Sequence, residues 1–365
     1  MQIKLRAFDT LFFRDGKPFS RGEEVWANGM FPPPPSVVYG AMRTAFFSRN
    51  LDALPMAGTD DDPSAQLSIN ALFLHKNDKV YLPCPYDLVQ RKGELDNHIG
   101  QLNLQDFSSV SSSLPSSFAL CPPLGFAPAI PMGGRHYVTL DDFIAYISEA
   151  KIPEQCVKTD VFFVKEPKIG LTRSTETGSA EEGKLYRVEL FRPRADTGIF
   201  IDYSTDGSAF SLPDAGFFNM GGEGKSVQYA LVEKKVEIPR PHITGKRFKI
   251  VVCTPAFFEN GWLPSGFSEN LEGNWCGHSL KILAVALDRP LHLGGFDMKN
   301  NRPKSMSRAV SAGAVYYVET EEEDVNAVAK SFHGHCLSEF GMDRQGYGLS
   351  FVGNISSSDQ LSKNA

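Results

Sequence analysis

Three things are scarce in this sequence, and each scarcity removes a class of protein. The six cysteines stand apart at 84, 121, 156, 253, 276 and 336, with no Cys-x-x-Cys pair. Neither a disulfide scaffold nor a zinc knuckle is expected, and a reducing cytoplasm is the simplest compartment. Long apolar runs are missing too: no stretch approaches the roughly 20 residues of a membrane span. The opening Met1-Gln2-Ile3-Lys4-Leu5-Arg6 alternates like a strand and lacks the apolar core of an export signal. Positive charge is short as well. Net charge is −6, from 37 Lys plus Arg against 43 Asp plus Glu, whereas a free-standing nucleic-acid binder is usually basic.

Catalytic signatures are also lacking. There is no Gly-x-Ser-x-Gly and no His-x-x-x-His. The eight histidines (75, 98, 136, 242, 278, 292, 333 and 335) fall in no recognisable catalytic string. His333-Gly334-His335-Cys336 is the one local cluster, and it lacks the second ligand pair of a metal site. Asp60-Asp61-Asp62 and Asp141-Asp142 read as a loop and a helix start. No metal, no cofactor and no enzymatic activity are expected.

What is present is a globular composition, 42% hydrophobic and 22% charged over 365 residues. That length suits two domains. The 32 glycines and 24 prolines point to many turns and long connections. Charge is segregated. Residues 240–249 carry Arg240, Lys246, Arg247 and Lys249 with no acid, and residues 299–308 carry Lys299, Arg302, Lys304 and Arg308 with no acid. Acids pool at Glu319, Glu321, Glu322, Glu323 and Asp324. Such segregation permits an RNA face on an acidic protein; each run also reads as a solvated loop.

Residues 1–8 alternate, with Ile3 and Leu5 on one face. Four prolines, Pro32 to Pro35, close a long loop. Residues 37–49 then read as a helix, with Val37, Ala41 and Ala45 at helical spacing. A hairpin is expected from 71–74 and 80–82 about Asn77-Asp78. An irregular insertion, about 93–134, follows with a serine-rich run at 108–117. A helix is expected from 139 to 150, and strands at 161–164, 184–191, 199–203 and 229–236. The last third reads as strand 247–253, a weakly helical loop, strands 279–287 and 314–319, helix 321–332 and strand 348–352. That β, weak α, β, β, α, β order is the ferredoxin-like layout of an RRM. The expected fold is α+β: two ferredoxin-like (RRM-type, βαββαβ) domains with long loop insertions, their antiparallel sheets packed by helices. The expected boundary divides an N-terminal domain 1–240 from a C-terminal domain 241–357, with a tail at 358–365.

Gly346-Tyr347-Gly348-Leu349-Ser350-Phe351-Val352-Gly353 places close glycines before a strand, where bare amides can bind phosphate oxygens. A helix precedes these glycines and a strand follows, the reverse of a dinucleotide fingerprint. A tight turn is the other reading.

A glycine-rich loop near the C-terminus of a ferredoxin-like chain resembles the signature of the RAMP superfamily of CRISPR proteins. Four further strings resemble one branch of it, the subunit-three family of the type III-B Cmr complex. They are Asp9-Thr10-Leu11-Phe12-Phe13-Arg14-Asp15-Gly16-Lys17-Pro18-Phe19; Pro33-Pro34-Pro35-Ser36-Val37-Val38-Tyr39-Gly40-Ala41-Met42-Arg43-Thr44-Ala45; Glu182-Gly183-Lys184-Leu185-Tyr186-Arg187-Val188-Glu189; and Gly294-Gly295-Phe296-Asp297 with Arg302-Pro303-Lys304, Arg308-Ala309-Val310 and Ala312-Gly313-Ala314-Val315-Tyr316. Ser311 stands where that pattern has proline and Phe296 where tryptophan is common. The insertion at 93–134 finds no counterpart.

The resemblance implies a non-catalytic subunit of the RNA-guided antiviral complex. It would cap the complex's foot and hold the 5′ tag of the crRNA beside the large polymerase-like subunit and a backbone subunit. Target RNA is then reached indirectly, and no membrane is involved. An unpaired tag needs amides and cations for phosphates and planar groups for bases. The expected RNA-binding residues are Arg14, Lys17 and Arg21 in the first loop, Arg43 near the start of the helix, Arg302, Lys304 and Arg308 in the hairpin, and Gly346, Tyr347, Gly348 and Gly353 in the glycine loop. Tyr347 either stacks on a base or packs under the sheet. Two alternatives stay open: a crRNA-processing endoribonuclease of the same superfamily, and a pure protein–protein scaffold.

Overall fold

The computed structural model describes residues 1–14, 26–93, 98–109, 115–173, 176, 179–206, 209–297 and 302–356. The chain forms two compact units, each assembled from three separate segments. Unit 1 is Met1–Asp78, Asp160–Lys234 and His292–Arg308; unit 2 is Lys79–Thr159, Lys235–Leu291 and Ala309–Ala365. This corrects the single cut near Arg240. A break does fall there, but residues 79–159 fold with the C-terminal third and 292–308 with the N-terminal part.

In unit 1 the strands Leu67–Lys76, Thr197–Thr205, Gln2–Ala7, Ser226–Leu231 and Ala215–Asn219 lie side by side in that order. Each neighbouring pair runs antiparallel. The register sets the faces. Ile3 and Leu5 meet Ile201 and Ile199 across the ladder, and all four are buried. Helix α1 (Pro35–Phe47) covers this side. It opens with proline at its first turn, as helices tolerate. Its Phe46 stacks on Phe210, which in turn meets Tyr203 edge-on. A long antiparallel hairpin, Phe163–Arg173 with Ala180–Pro193, joins the short strand Trp26–Ala27 in a second sheet.

In unit 2 a six-stranded antiparallel sheet has the order Glu272–Trp275, His278–Ala286, Val315–Glu319, Arg247–Val252, Leu349–Gly353 and His335–Cys336. One face carries Phe248, Ile250, Val252, Ile282, Tyr316, Val318 and Val352. With α3 (Val325–Lys330), Trp275 and Phe332 they form a single core cluster. Asp324 caps α3 by accepting from the Ala327 amide at 3.0 Å. The loop between Arg247–Val252 and His278–Ala286, read in advance as weakly helical, contains the strand Glu272–Trp275 and no helix.

The second face of this sheet is covered by α2 (Leu140–Glu149). Thr139 caps it, accepting from the Asp142 amide at 3.2 Å. Phe143 meets Phe351 edge-on at 5.7 Å, and the Asn354 amide donates to the Ile147 carbonyl at 2.8 Å. The insertion at 93–134 is not irregular throughout. It holds the strands Ile99–Gln101, Asn103–Asp106, Phe118–Cys121 and Ala129–Pro131. Ser116 donates to the Leu283 carbonyl at 2.6 Å, which ties the insertion to the unit 2 sheet.

Candidate nucleic-acid interface

The glycine loop sits inside unit 2. Residues 346–353 are buried. Gly346 and Gly348 take positive φ, +93° and +79°, which the turn requires. Their amides already have partners: Gly346 donates to the Asp343 carbonyl at 2.9 Å and Gly348 to the Pro255 carbonyl at 2.8 Å. Thr254 Oγ1 donates to the Gly346 carbonyl at 2.7 Å and accepts from the Leu349 amide at 2.9 Å. A Cβ on Gly348 would stand 2.6 Å from the Ser338 nitrogen. Gly353 pairs with Lys249 in the sheet, and a Cβ there would stand 3.1 Å from Ile147 Cα. The phosphate-binding reading of Gly346, Gly348 and Gly353 is therefore corrected. These glycines let the loop turn and let α2 approach. Tyr347 is corrected as well. Its ring is 1% exposed and packs edge-on to Phe257 at 4.9 Å, so the packing reading holds and the stacking one does not.

The two basic runs part company. In 240–249 every cation is engaged within unit 2. Arg240 donates to the Asn326 carbonyl at 2.7 Å, and Lys246 to the carbonyls of Glu321 and Glu322. Arg247 pairs with Glu319 at 2.8 Å and lies over the Phe118 ring. Lys249 is fully buried, 3.8 Å from the Asp87 carboxylate, with its ammonium 3.3 Å from the centre of the Tyr146 ring. Asp87 also accepts from the hydroxyls of Tyr146 at 2.7 Å and Tyr317 at 2.8 Å, and from Gln101 at 3.0 Å. These are the partners a buried carboxylate requires. This cluster was missed in the sequence. It occupies the middle of the sheet face that an RRM would offer to RNA.

In 299–308 the described cations face solvent. Arg302, Lys304 and Arg308 are exposed and form no ion pair among the described residues. Arg302 lies in a short antiparallel pair, Phe296–Asp297 with Arg302–Pro303, and the Lys304 amide donates to the Gly295 carbonyl at 2.9 Å. A Cβ on Gly295 would touch the Lys304 stem at 3.5 Å. Backbone bonds fix the hairpin, and the three cationic side chains stand in solvent.

The remaining candidates divide. Arg14 is exposed, and its residue bridges to Gly29. Lys17 and Arg21 lie outside the described residues. Arg43, on α1, is committed to the fold: its guanidinium pairs with the buried Asp62 carboxylate and donates to Ser64 at 2.7 Å. Asp62 stays below the usual carboxylate range despite burial, because Ser64, two backbone amides and Arg43 stabilise its charged form. The phosphate-binding reading of Arg43 is corrected accordingly.

Several histidines also have fixed places. Burial pushes His75 down to about 4 and lowers His333, whose Nε2 lies 2.9 Å from the Ile238 carbonyl. His136 Nδ1 is 2.9 Å from the Met132 carbonyl. His278 stands between Glu322 at 3.1 Å and Ser331 at 2.9 Å, tying both ends of the α3 region to its strand. No group of three His, Cys, Asp or Glu able to hold a metal occurs among the described residues. No described helix is long and apolar enough to cross a membrane.

The architecture is a strand-rich α+β protein of antiparallel sheets with few helices, consistent with the RAMP fold. Two solved structures share it. One is a chain of the type III-B Cmr-beta bound to cognate target RNA and AMPPnP, at TM-score 0.52 and 15% identity over 91% of this chain and 93% of that one. The other is a chain of Cmr-beta bound to cognate target RNA, at TM-score 0.52 and 15% identity over 90% and 89%. Among curated protein sequences nothing matches. Residues 3–355 match the family described as CRISPR-associated protein (Cas_Cmr3). The chain belongs to that family and is a Cmr3-type subunit of a type III CRISPR effector complex.

Proposed function

We propose that this chain is a non-catalytic subunit of a type III-B antiviral particle that holds the 5′ tag of the crRNA. It caps the foot of the complex beside the large polymerase-like subunit and a backbone subunit. The observation that carries the reading is the hairpin at 302–308, where Arg302, Lys304 and Arg308 stand exposed with no acid paired to them among the described residues, on a chain of net charge −6. Cations held this way neutralise phosphates and release counterions. Family membership supports the setting. The sheet orders support reading each unit as a decorated RRM-type repeat. In each, the strands taken first, second, third and fourth along the chain lie in the order four, one, three, two: 226–231, 2–7, 197–205 and 67–76 in unit 1, and 349–353, 247–252, 315–319 and 278–286 in unit 2.

The test is photocrosslinking of crRNA carrying a reactive base in the tag, within the assembled particle. Crosslinks from the tag to this chain are expected. Lys304→Glu with Arg308→Glu should weaken RNA binding and flatten its salt dependence by about 0.7 in log–log slope per lost contact. A tag that crosslinks only to other subunits would overturn the reading. Purified chain that cuts precursor crRNA unaided would favour the endoribonuclease instead.

A further inference from the structure

The unit 1 sheet has a second face, opposite α1, and its two halves differ. On strands Leu67–Lys76 and Thr197–Thr205 this face carries Phe73 and Phe200, stacked on each other and buried. On strands Gln2–Ala7, Ser226–Leu231 and Ala215–Asn219 it is open. Arg6 pairs with Gln228, which pairs with Phe217. Directly paired residues share a face, so these three form one row. Lys4, Ala230 and Ala215 form the next row. Phe8 follows Arg6 by two residues and meets Phe217 ring to ring, 5.7 Å between centroids. Both rings are mostly solvent-exposed, Phe8 at 62% and Phe217 at 60%. Asn219 and Ser226 border them and hydrogen-bond each other at 2.9 Å.

We infer that this open half-sheet is an RNA contact, in which the Phe8–Phe217 pair stacks an unpaired base and Arg6 engages the adjoining phosphate. The inference rests on the RNA-holding function proposed above and deepens it with a site distinct from the 302–308 hairpin. Two exposed rings in contact form a contiguous apolar spot, and contiguous spots mark interaction sites where lone exposed side chains do not. The surroundings select the occupant. The rings are bordered by Gln228, Asn219 and Ser226, amide and hydroxyl groups able to meet base edges, and by the small Ala215 and Ala230, which leave room. An apolar protein surface laid here would offer these polar groups no further partner, whereas base edges would. Arg6 is exposed and has no ion pair among the described residues. Lys4 is paired with Asp78 at 2.9 Å, and Asp9 is held by Lys225 and Arg192. Asp78 and Asp9 are thus already paired, and Arg6 remains a cation for a phosphate. Stacking rings on a sheet with a neighbouring cation are what sequence-tolerant binding of single strands requires.

The full chain is titrated with a labelled single-stranded oligouridylate across a salt series. Phe8→Ala with Phe217→Ala should weaken binding about tenfold or more with its salt slope unchanged. Arg6→Gln should lower the slope by about 0.7. Phe8→Trp should keep the affinity and show indole fluorescence quenched by RNA, which reads the stack directly in a variant that retains an aromatic ring. Equal affinity of the double variant and the wild type, with no quenching in Phe8→Trp, overturns this site. If Lys304→Glu with Arg308→Glu still weakens binding in that case, the RNA-holding function stands without it. A wild-type chain that fails to bind RNA and gives no tag crosslink in the particle overturns both. Loss of a neighbouring subunit from the double variant with RNA binding intact assigns the rings to a protein contact and overturns the inference.

Discussion

At the scale of single residues, the centre of unit 2 hangs on an ion pair closed off from bulk solvent. Lys249 and Asp87 are both fully buried, and two tyrosine hydroxyls and an amide complete the carboxylate's shell. Breaking such a pair from one side leaves a charge stranded. Asp87→Ala is expected to destabilise the chain by about 3–5 kcal/mol in urea unfolding. Asp87→Ala with Lys249→Met should recover part of that loss, since no lone charge remains. Gly348→Ala should cost about 1–3 kcal/mol, because alanine would be forced to positive φ with its Cβ against the Ser338 backbone. These residues show where reading ahead stopped. Lys249 was visible as a cation in a basic run, and Arg302 looked no different. What separates them is register. Lys249 lies opposite Tyr317 and Gly353, in the middle of a sheet covered on both faces, and no one-dimensional pattern carries that. The apolar neighbours Phe248, Ile250, Val251 and Val252 were the available signal, since an all-apolar strand around one lysine implies a buried partner.

At the scale of elements, the strands and helices with strong local signals were legible. Strand Gln2–Ala7 follows from alternation, α1 from helical spacing and α2 from its acidic start at Asp141-Asp142. The helix expected at 321–332 forms only as Val325–Lys330, because Glu321, Glu322 and Asp324 serve as acceptors and cap ahead of it. The strands within 93–134 were not legible. They are three or four residues long, too short for alternation to mark, and they pair with each other or with residues 88–91. The hairpin of Phe163–Arg173 and Ala180–Pro193 is laced by Lys165–Glu189 and Arg192–Glu166 pairs on its surface. Lys165→Ala is expected to change stability by less than about 1 kcal/mol in thermal unfolding, since exposed pairs contribute little.

At the scale of the whole molecule, acid should weaken the fold. His75 is held neutral down to about 4, first by burial and then by the Lys4 charge, with Asp78 opposing; His333 is lowered, first by burial. The unfolded chain takes up a proton at each near 6.5, while the folded chain resists until lower pH. Between about 4 and 6.5 the unfolded state therefore binds more protons, and stability rises with pH across that window. Urea midpoints measured from pH 7 downward should fall through it, and His75→Phe should make the fall shallower. At this scale the length pointed to two units and the element order to an α+β fold, but neither shows how the segments are shared between them. Which stretch pairs with which is decided by long-range ladders, such as Gln2–Ala7 meeting residues about 200 positions away.

That sharing bears on how the protein is made. Met1–Asp78 must wait for Asp160–Lys234 and His292–Arg308 before unit 1 is whole, and unit 2 waits for the last strand, Leu349–Gly353. At translation speeds of about 5–20 residues per second, the nascent N-terminus spends on the order of ten seconds or more with the edges of its sheet unmatched. A ribosome stalled before residue 292 would leave neither unit finished, since each draws on a later segment.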